Sequence, residues 1–236
     1  MPPNFFKPNR THVIELYSYS DKFTEADEHE VLSGTDAGSI LCEIFAQSAR
    51  FVYVPNPEKF SRLLNEAQKR SYKQLLINLY EPENVQYLRV NPGDSILING
   101  QGDIENELIA GYEAEELVDI LDNDLDLKKI PLKNLDIDSC MMGRVESYRD
   151  ELKSALKNFQ TITTYTDLCS VSKNNNVPCR RWIAEHKDKY VFYTESELNT
   201  RGTRIIEYTD TYKNLLDSAS QLLPNNQEIS TCLLRV

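Results

Sequence analysis

Short apolar runs that stop at small or polar residues recur along this chain, separated by stretches with apolar residues at helical spacing. Thr11-His-Val-Ile-Glu-Leu-Tyr-Ser18 predicts a first strand, β-branched and aromatic. Residues 39–49 place Ile40, Ile44 and Phe45 at helical spacing, and Phe51-Val-Tyr-Val54 reads as a strand closed by Pro55. Pro57 to Leu79 predicts the longest helix, with Phe60, Leu63, Leu64, Tyr72, Leu75 and Leu76 near one repeat. Gln86 to Val90 reads as a short strand before an Asn91-Pro-Gly-Asp94 turn.

Two junctions then follow that carry the chemistry. Asp94-Ser-Ile-Leu-Ile-Asn-Gly-Gln-Gly-Asp103 and Leu135-Asp-Ile-Asp-Ser-Cys-Met-Met-Gly143 are apolar runs ending in polar loops, the pattern of buried parallel strands. Between them, residues 112–122 set Leu117, Ile120 and Leu121 on one helical face. Strand, helix, strand is a βαβ unit, and open α/β sheets place ligands at the carboxyl ends of such strands.

Beyond Gly143, Arg144 to Phe159 predicts a helix with Val145, Tyr148, Leu152 and Leu156 as its stripe, and Gln160 to Asp167 a strand. Ser170 to Pro178, with three consecutive asparagines, reads as a loop. Tyr190 to Thr194 and Arg204 to Thr209 form candidate partner strands. Residues 211–223 read as a helix, and 230–236 as a last strand or packed tail. The expectation is a single α/β domain over 1–236, with a mostly parallel sheet flanked by helices. Its core spans 11–168, and a β-rich hairpin or flap plus helix occupies 169–236.

Composition changes this picture only at the margins. The 236 residues are 40% apolar and 27% charged, ordinary for a globular domain long enough to bury a core. A formal charge of −11 argues against nonspecific nucleic-acid binding. Five scattered cysteines (Cys42, Cys140, Cys169, Cys179, Cys232) form no CxxC or Cys/His cluster, so no metal site is expected and a reducing compartment fits. The first ten residues lack a signal-peptide core, and no run approaches the roughly 20 apolar residues of a membrane span. A cytoplasmic protein, or one exported without a cleaved signal and possibly into a host cell, is the expectation. The abundance of Asn, Lys and Tyr suits a bacterial effector.

The two junctions resemble the motif pair of the caspase-like cysteine peptidases, a group that includes caspases, metacaspases, legumains, clostripain-like enzymes and toxin self-cleaving domains. Asp138-Ser139-Cys140-Met141-Met142-Gly143 is similar to the metacaspase Asp-Ser-Cys-His-Ser-Gly. Leu97-Ile-Asn-Gly-Gln-Gly102 is similar to the family's Gly-His-Gly motif, with Gln101 in the histidine position. The resemblance implies Cys140 as nucleophile, Gly102 as an oxyanion donor and Asp138 in the pocket for the side chain before the cut, favouring Lys or Arg. It also implies a helix just after the cysteine whose amino end lowers the thiol pKa.

A carboxamide neither takes nor gives a proton near pH 7, so Gln101 cannot act as the base. His12, His29 and His186 are the only histidines, and each reads more readily as a surface residue than a catalytic one, His186 being the nearest substitute. Cys140 by itself also reads as a small buried hydrophobe, the usual role of a strand-ending cysteine.

The leading expectation is therefore a catalytically impaired peptidase homologue, a pseudopeptidase that binds peptide or protein and uses no cofactor. The rivals are an active cysteine endopeptidase cleaving after Lys or Arg, or its inactivated Gln101 form, and an unrelated α/β interaction module. Arg180, Arg181, Lys187 and Lys189, interleaved with Trp182, form the one basic cluster. It reads as a solvated hairpin face. By resemblance to the toxin domains, it is alternatively a weak site for an anionic ligand such as an inositol phosphate.

Overall fold

A parallel sheet needs both faces covered, and the alternation along the central strands supplies two apolar faces. The computed structural model describes residues 9–17, 37–54, 75–81, 85–86, 88–186 and 189–214, with 65, 69 and 217 besides. Seven strands form the main sheet: β1 (Thr11–Leu16), β2 (Ala49–Tyr53), β3 (Leu76–Leu79), β4 (Ser95–Asn99), β7 (Leu132–Asp138), β8 (Phe159–Tyr165) and β12 (Arg204–Tyr208). Their order is β12-β8-β7-β4-β1-β2-β3, and only β12 runs antiparallel. The chain goes outward from β1 in one direction and then returns to build from β4 in the other. That reversal, between β1 and β4, is the topological switch point of an open α/β sheet.

One face carries Ile14, Leu16, Ile96, Ile98, Leu135 and Ile137, all buried. They pack under a helix at Ala114–Asp119 and another at Glu146–Ala155, which contribute Leu117, Tyr148 and Leu152. The other face carries Val13 and Leu97 against Leu41 and Cys42 of a helix whose described part covers 37–44. The same face holds charge. Glu15 and Arg50, on neighbouring strands, are fully buried and ion-paired, with the Arg50 Nε donating to Glu15 Oε1 at 2.7 Å. The Tyr17 hydroxyl donates to Glu15 Oε2 at 2.9 Å. The acid between Ile14 and Leu16 of β1 and the arginine between Ala49 and Phe51 of β2 are thus two halves of one pair.

Two smaller sheets accompany the main one among the described residues. β5 (Gly102–Asp103) and β6 (Leu108–Ile109) form a short hairpin after β4. β9 (Leu168–Asn174), β10 (Val177–His186) and β11 (Lys189–Tyr193) form an antiparallel sheet in the order β11-β10-β9. Trp182 and Tyr193 from this sheet pack with Tyr165 of β8 and Leu198, all buried.

Several expectations change here. Ser170 to Pro178 is not a loop: β9 and β10 pair through it, and Asn174 and Val177 flank a two-residue turn. Asn175 and Asn176 both take positive φ (50° and 65°), which a tight hairpin turn of the primed type requires and asparagine tolerates. Pro178 is accommodated because β11 pairs with β10 only from Trp182 onward, so no ladder bond is lost on that side. Tyr190–Thr194 and Arg204–Thr209 do not pair with each other. β11 joins β10, and β12 joins β8 through Arg204↔Tyr165 to Tyr208↔Thr161.

The long helix stops short of Leu79, because residues 76–79 form the edge strand β3. Most of 57–74 lies outside the described residues, as do 18–36 and 218–236. Gln86–Val90 is not a strand, having a 3-10 turn at 85–86 and a turn at Leu88. The helix of residues 112–122 is shorter, Ala114–Asp119, and continues as a π-helix at Ile120–Asp124. Among the described residues no helix is long and apolar enough to cross a membrane.

Candidate functional site

β4 and β7 are adjacent and parallel, and Asn99 and Asp138 stand side by side at their carboxyl ends. Gln101 and Cys140 each lie two residues past that pair, so the sheet brings the two sequence junctions to one edge. The loops touch at Gly102. A β-carbon there would overlap the Cys140 carbonyl oxygen and lie 2.8 Å from Ser139 Oγ, so only glycine fits. Gly143 is held as closely, since a β-carbon would come 2.6 Å from the Tyr165 carbonyl carbon on β8. Both glycines are thus set by close backbone approach rather than by turn conformation.

Cys140 is half-buried and Gln101 exposed. The Gln101 carbonyl accepts the Ala110 N–H at 2.6 Å, which ties its loop to the end of the β5–β6 hairpin. The Cys140 thiol donates to the Cys169 carbonyl at 3.7 Å, and the Cys169 thiol to the Ser139 carbonyl at 3.7 Å. Burial pushes the Cys140 thiol above its ordinary range, and the Asp138 charge adds to this, against a smaller opposing effect from its contact with Cys169. The expected lowering by a helix is absent. A 3-10 turn at Met142–Arg144, entered through Met141 in the left-handed region (φ 56°), intervenes, and the α-helix begins only at Glu146. A dipole acts within about one turn of a helix end, and Cys140 lies beyond it.

Asp138 is buried, and its Oδ1 is 3.2 Å from Arg180 Nη2. The same guanidinium forks onto Asp136 at 3.0 and 3.3 Å and onto the Tyr165 hydroxyl at 3.2 Å. It lies 5.2 Å from the Trp182 ring centroid and 5.4 Å from that of Tyr165. Asp136 and Asp138 alternate with Leu135 and Ile137, so β7 turns an apolar side to one layer and two carboxylates to the antiparallel sheet. Burial raises the Asp138 pKa more than Arg180 lowers it, with Asp136 adding repulsion. Arg180 therefore occupies the space beside the Asp138 carboxylate.

The basic cluster does not form one patch. Arg180 points inward to these acids, Arg181 and Lys189 lie elsewhere on the hairpin, and Lys187 is outside the described residues. Ser139 Oγ, Arg180 Nε and Trp182 Nε1 are buried without a hydrogen-bond partner among the described residues, an uncommon state for buried polar groups.

Neither protein-family models nor curated proteins match this sequence.

Among the described residues, the two histidines fall away from this edge. His12 aligns with Ile96 and Leu135, five residues short of Cys140 and so about 16 Å back along the strand direction. It is not a surface residue: it is 6% exposed, with Nε2 2.8 Å from Asp94 Oδ2. His186 ends β10, four residues beyond the Trp182–Cys169 pair, a separation of about 13 Å along the strand. His29 lies outside the described residues.

Two features of the site escape a sequence pattern search. Glu15, in register with Asn99, extends the polar row at the sheet edge. Cys169 lies against the Cys140 loop, and Met141 N–H donates to Asp167 O at 3.1 Å beside it. The alternation of Asp136 and Asp138 with apolar neighbours is the signal that a buried cation waits opposite.

Proposed function

We propose that this chain is a pseudopeptidase of caspase-like descent, which holds a peptide or protein segment at the carboxyl edge of β4 and β7 without efficient cleavage. The observation that carries the reading is Gln101 on the loop packed against the Cys140 loop. Thiol chemistry needs a proton acceptor, and the residue standing in the resembled family's histidine position cannot be one. The thiol is also raised rather than lowered in pKa, the reverse of an activated nucleophile.

Asp138 is neutralised by Arg180, so a Lys or Arg of the bound segment gains no free carboxylate there. The chain's role in a host cell as an exported effector belongs to the same proposal.

Fluorogenic peptides with Arg, Lys or an apolar residue before the cut, given to this chain and to Gln101→His, test the reading. Silence in the parent and turnover in Gln101→His, abolished by Cys140→Ala, is the expected result. Turnover in the parent that Cys140→Ala removes makes it a working enzyme instead. Silence in both, together with no binding of peptide or protein segments to the parent, leaves an α/β interaction module of other descent.

A further inference from the structure

At the opposite edge of the sheet, below the amino ends of β1 and β2, lies a groove of about 620 Å³. Among the described residues its lining contains Arg10, Arg50 and Arg89 and no aspartate, glutamate or lysine, against the balance of a chain with 37 acids and 26 Lys plus Arg. Arg50 is already held by Glu15. Arg10 donates from Nη2 to the Arg89 carbonyl at 2.7 Å, which holds its guanidinium against the Arg89 backbone. Arg10 is shared with Asp94 at 3.3 Å, but that carboxylate also accepts the Arg10 and Asn91 N–H groups and faces His12. Arg89 is exposed, forms no ion pair among the described residues, and sits in the left-handed region (φ 49°), a conformation with a cost for a non-glycine residue. Phe45 and the largely exposed Leu76 supply an apolar wall.

Guanidinium forks match the several oxygens of a phosphate, and a groove with one cationic end and one apolar wall suits an amphipathic anion. We propose that this groove binds a small organic phosphate ester, its phosphate held by Arg10 and Arg89 and its apolar part lying over Phe45 and Leu76. The site is separate from the Cys140 loop and does not depend on the peptidase reading.

Calorimetric titration of the full-length chain with phenyl phosphate at low salt tests it, with inorganic phosphate and benzoate as comparisons. Saturable binding is expected, about tenfold tighter than for either comparison and weakened about tenfold or more by Arg89→Gln, as loss of a charge-assisted contact implies. The exposed Arg89 can be changed without loss of fold, which an unchanged thermal midpoint verifies. The His12 imidazole resonances, assigned with His12→Gln, should shift on binding. No saturation, equal affinity for inorganic phosphate or benzoate, full affinity in Arg89→Gln, or unmoved His12 signals would each overturn the assignment.

Discussion

Arg180 Nη2 lies 3.2 Å from Asp138 Oδ1 and thereby joins the antiparallel hairpin to the end of β7. Two carboxylates and one guanidinium share a largely buried space. Removing the cation leaves Asp136 and Asp138 facing each other without compensation.

Arg180→Met is therefore expected to destabilise the fold by about 3–5 kcal/mol, the range for breaking a buried pair. Adding Asp138→Asn to Arg180→Met should restore part of that loss, since one of the stranded charges goes with it. Chemical denaturation of the parent, single and double variants measures both effects.

Gly102→Ala should push the Gln101 loop off the Cys140 loop, because the new methyl group overlaps a carbonyl oxygen that is part of the backbone. A cost of about 1–3 kcal/mol is expected, as for overpacking elsewhere. Gln101→Ala, at an exposed side chain, should leave stability unchanged. Thermal melts of the two variants, run together, distinguish a packing role for the glycine from a general sensitivity of the loop.

The Cys140 thiol should react with iodoacetamide at pH 7.5 roughly tenfold or more slowly than a free cysteine, since the thiolate is the reacting form and burial disfavours it. The rate should climb steadily as pH rises past the ordinary thiol range. Mass spectrometry of peptides after timed alkylation gives the rate site by site. An unusually fast Cys140 would contradict the raised pKa and favour an activated nucleophile.

Stability should fall as pH drops below about 6.5, and His12 is the residue responsible. Burial lowers its pKa from the ordinary 6.5, only partly offset by the hydrogen bond and charge of Asp94. The native state then binds fewer protons than the unfolded chain in this window, so each step toward acid favours unfolding. Asp94 extends the loss below pH 3.8. Burial alone would raise its pKa, but hydrogen bonds from Arg10 N–H, His12 and Asn91 N–H together hold it down. His12→Gln retains a donor for Asp94 and should flatten the slope between pH 7 and 5 in urea melts.

How much of this was legible in the residues depended on whether neighbours along the chain sufficed. β4, β7 and the helix between them are local patterns, and they appear where alternation and periodicity place them. The edge strand β3 was hidden because Leu75 and Leu76 fit the helical repeat that precedes them, and only pairing with β2 makes 76–79 a strand. The β9–β10 hairpin was hidden because its asparagines and proline carry loop propensity. The ladder from Val177↔Asn174 to Ile183↔Leu168 outweighs it.

The two junctions carrying Gln101, Gly102 and Cys140 are local patterns, and the pairing of β4 with β7 brings them to one edge. That Asp138 already has a partner was not legible, because Arg180 lies 42 positions away in sequence, in a segment read as a solvated face. Contacts between distant residues leave no periodic trace.

Trp182 is the sole tryptophan, fully enclosed between Tyr165 and Tyr193 with the Arg180 guanidinium beside its ring. The chain thus carries a built-in optical reporter at the knot that fastens hairpin to sheet. Its emission wavelength follows the dryness of that one spot, so loosening of the seam can be watched without any attached dye.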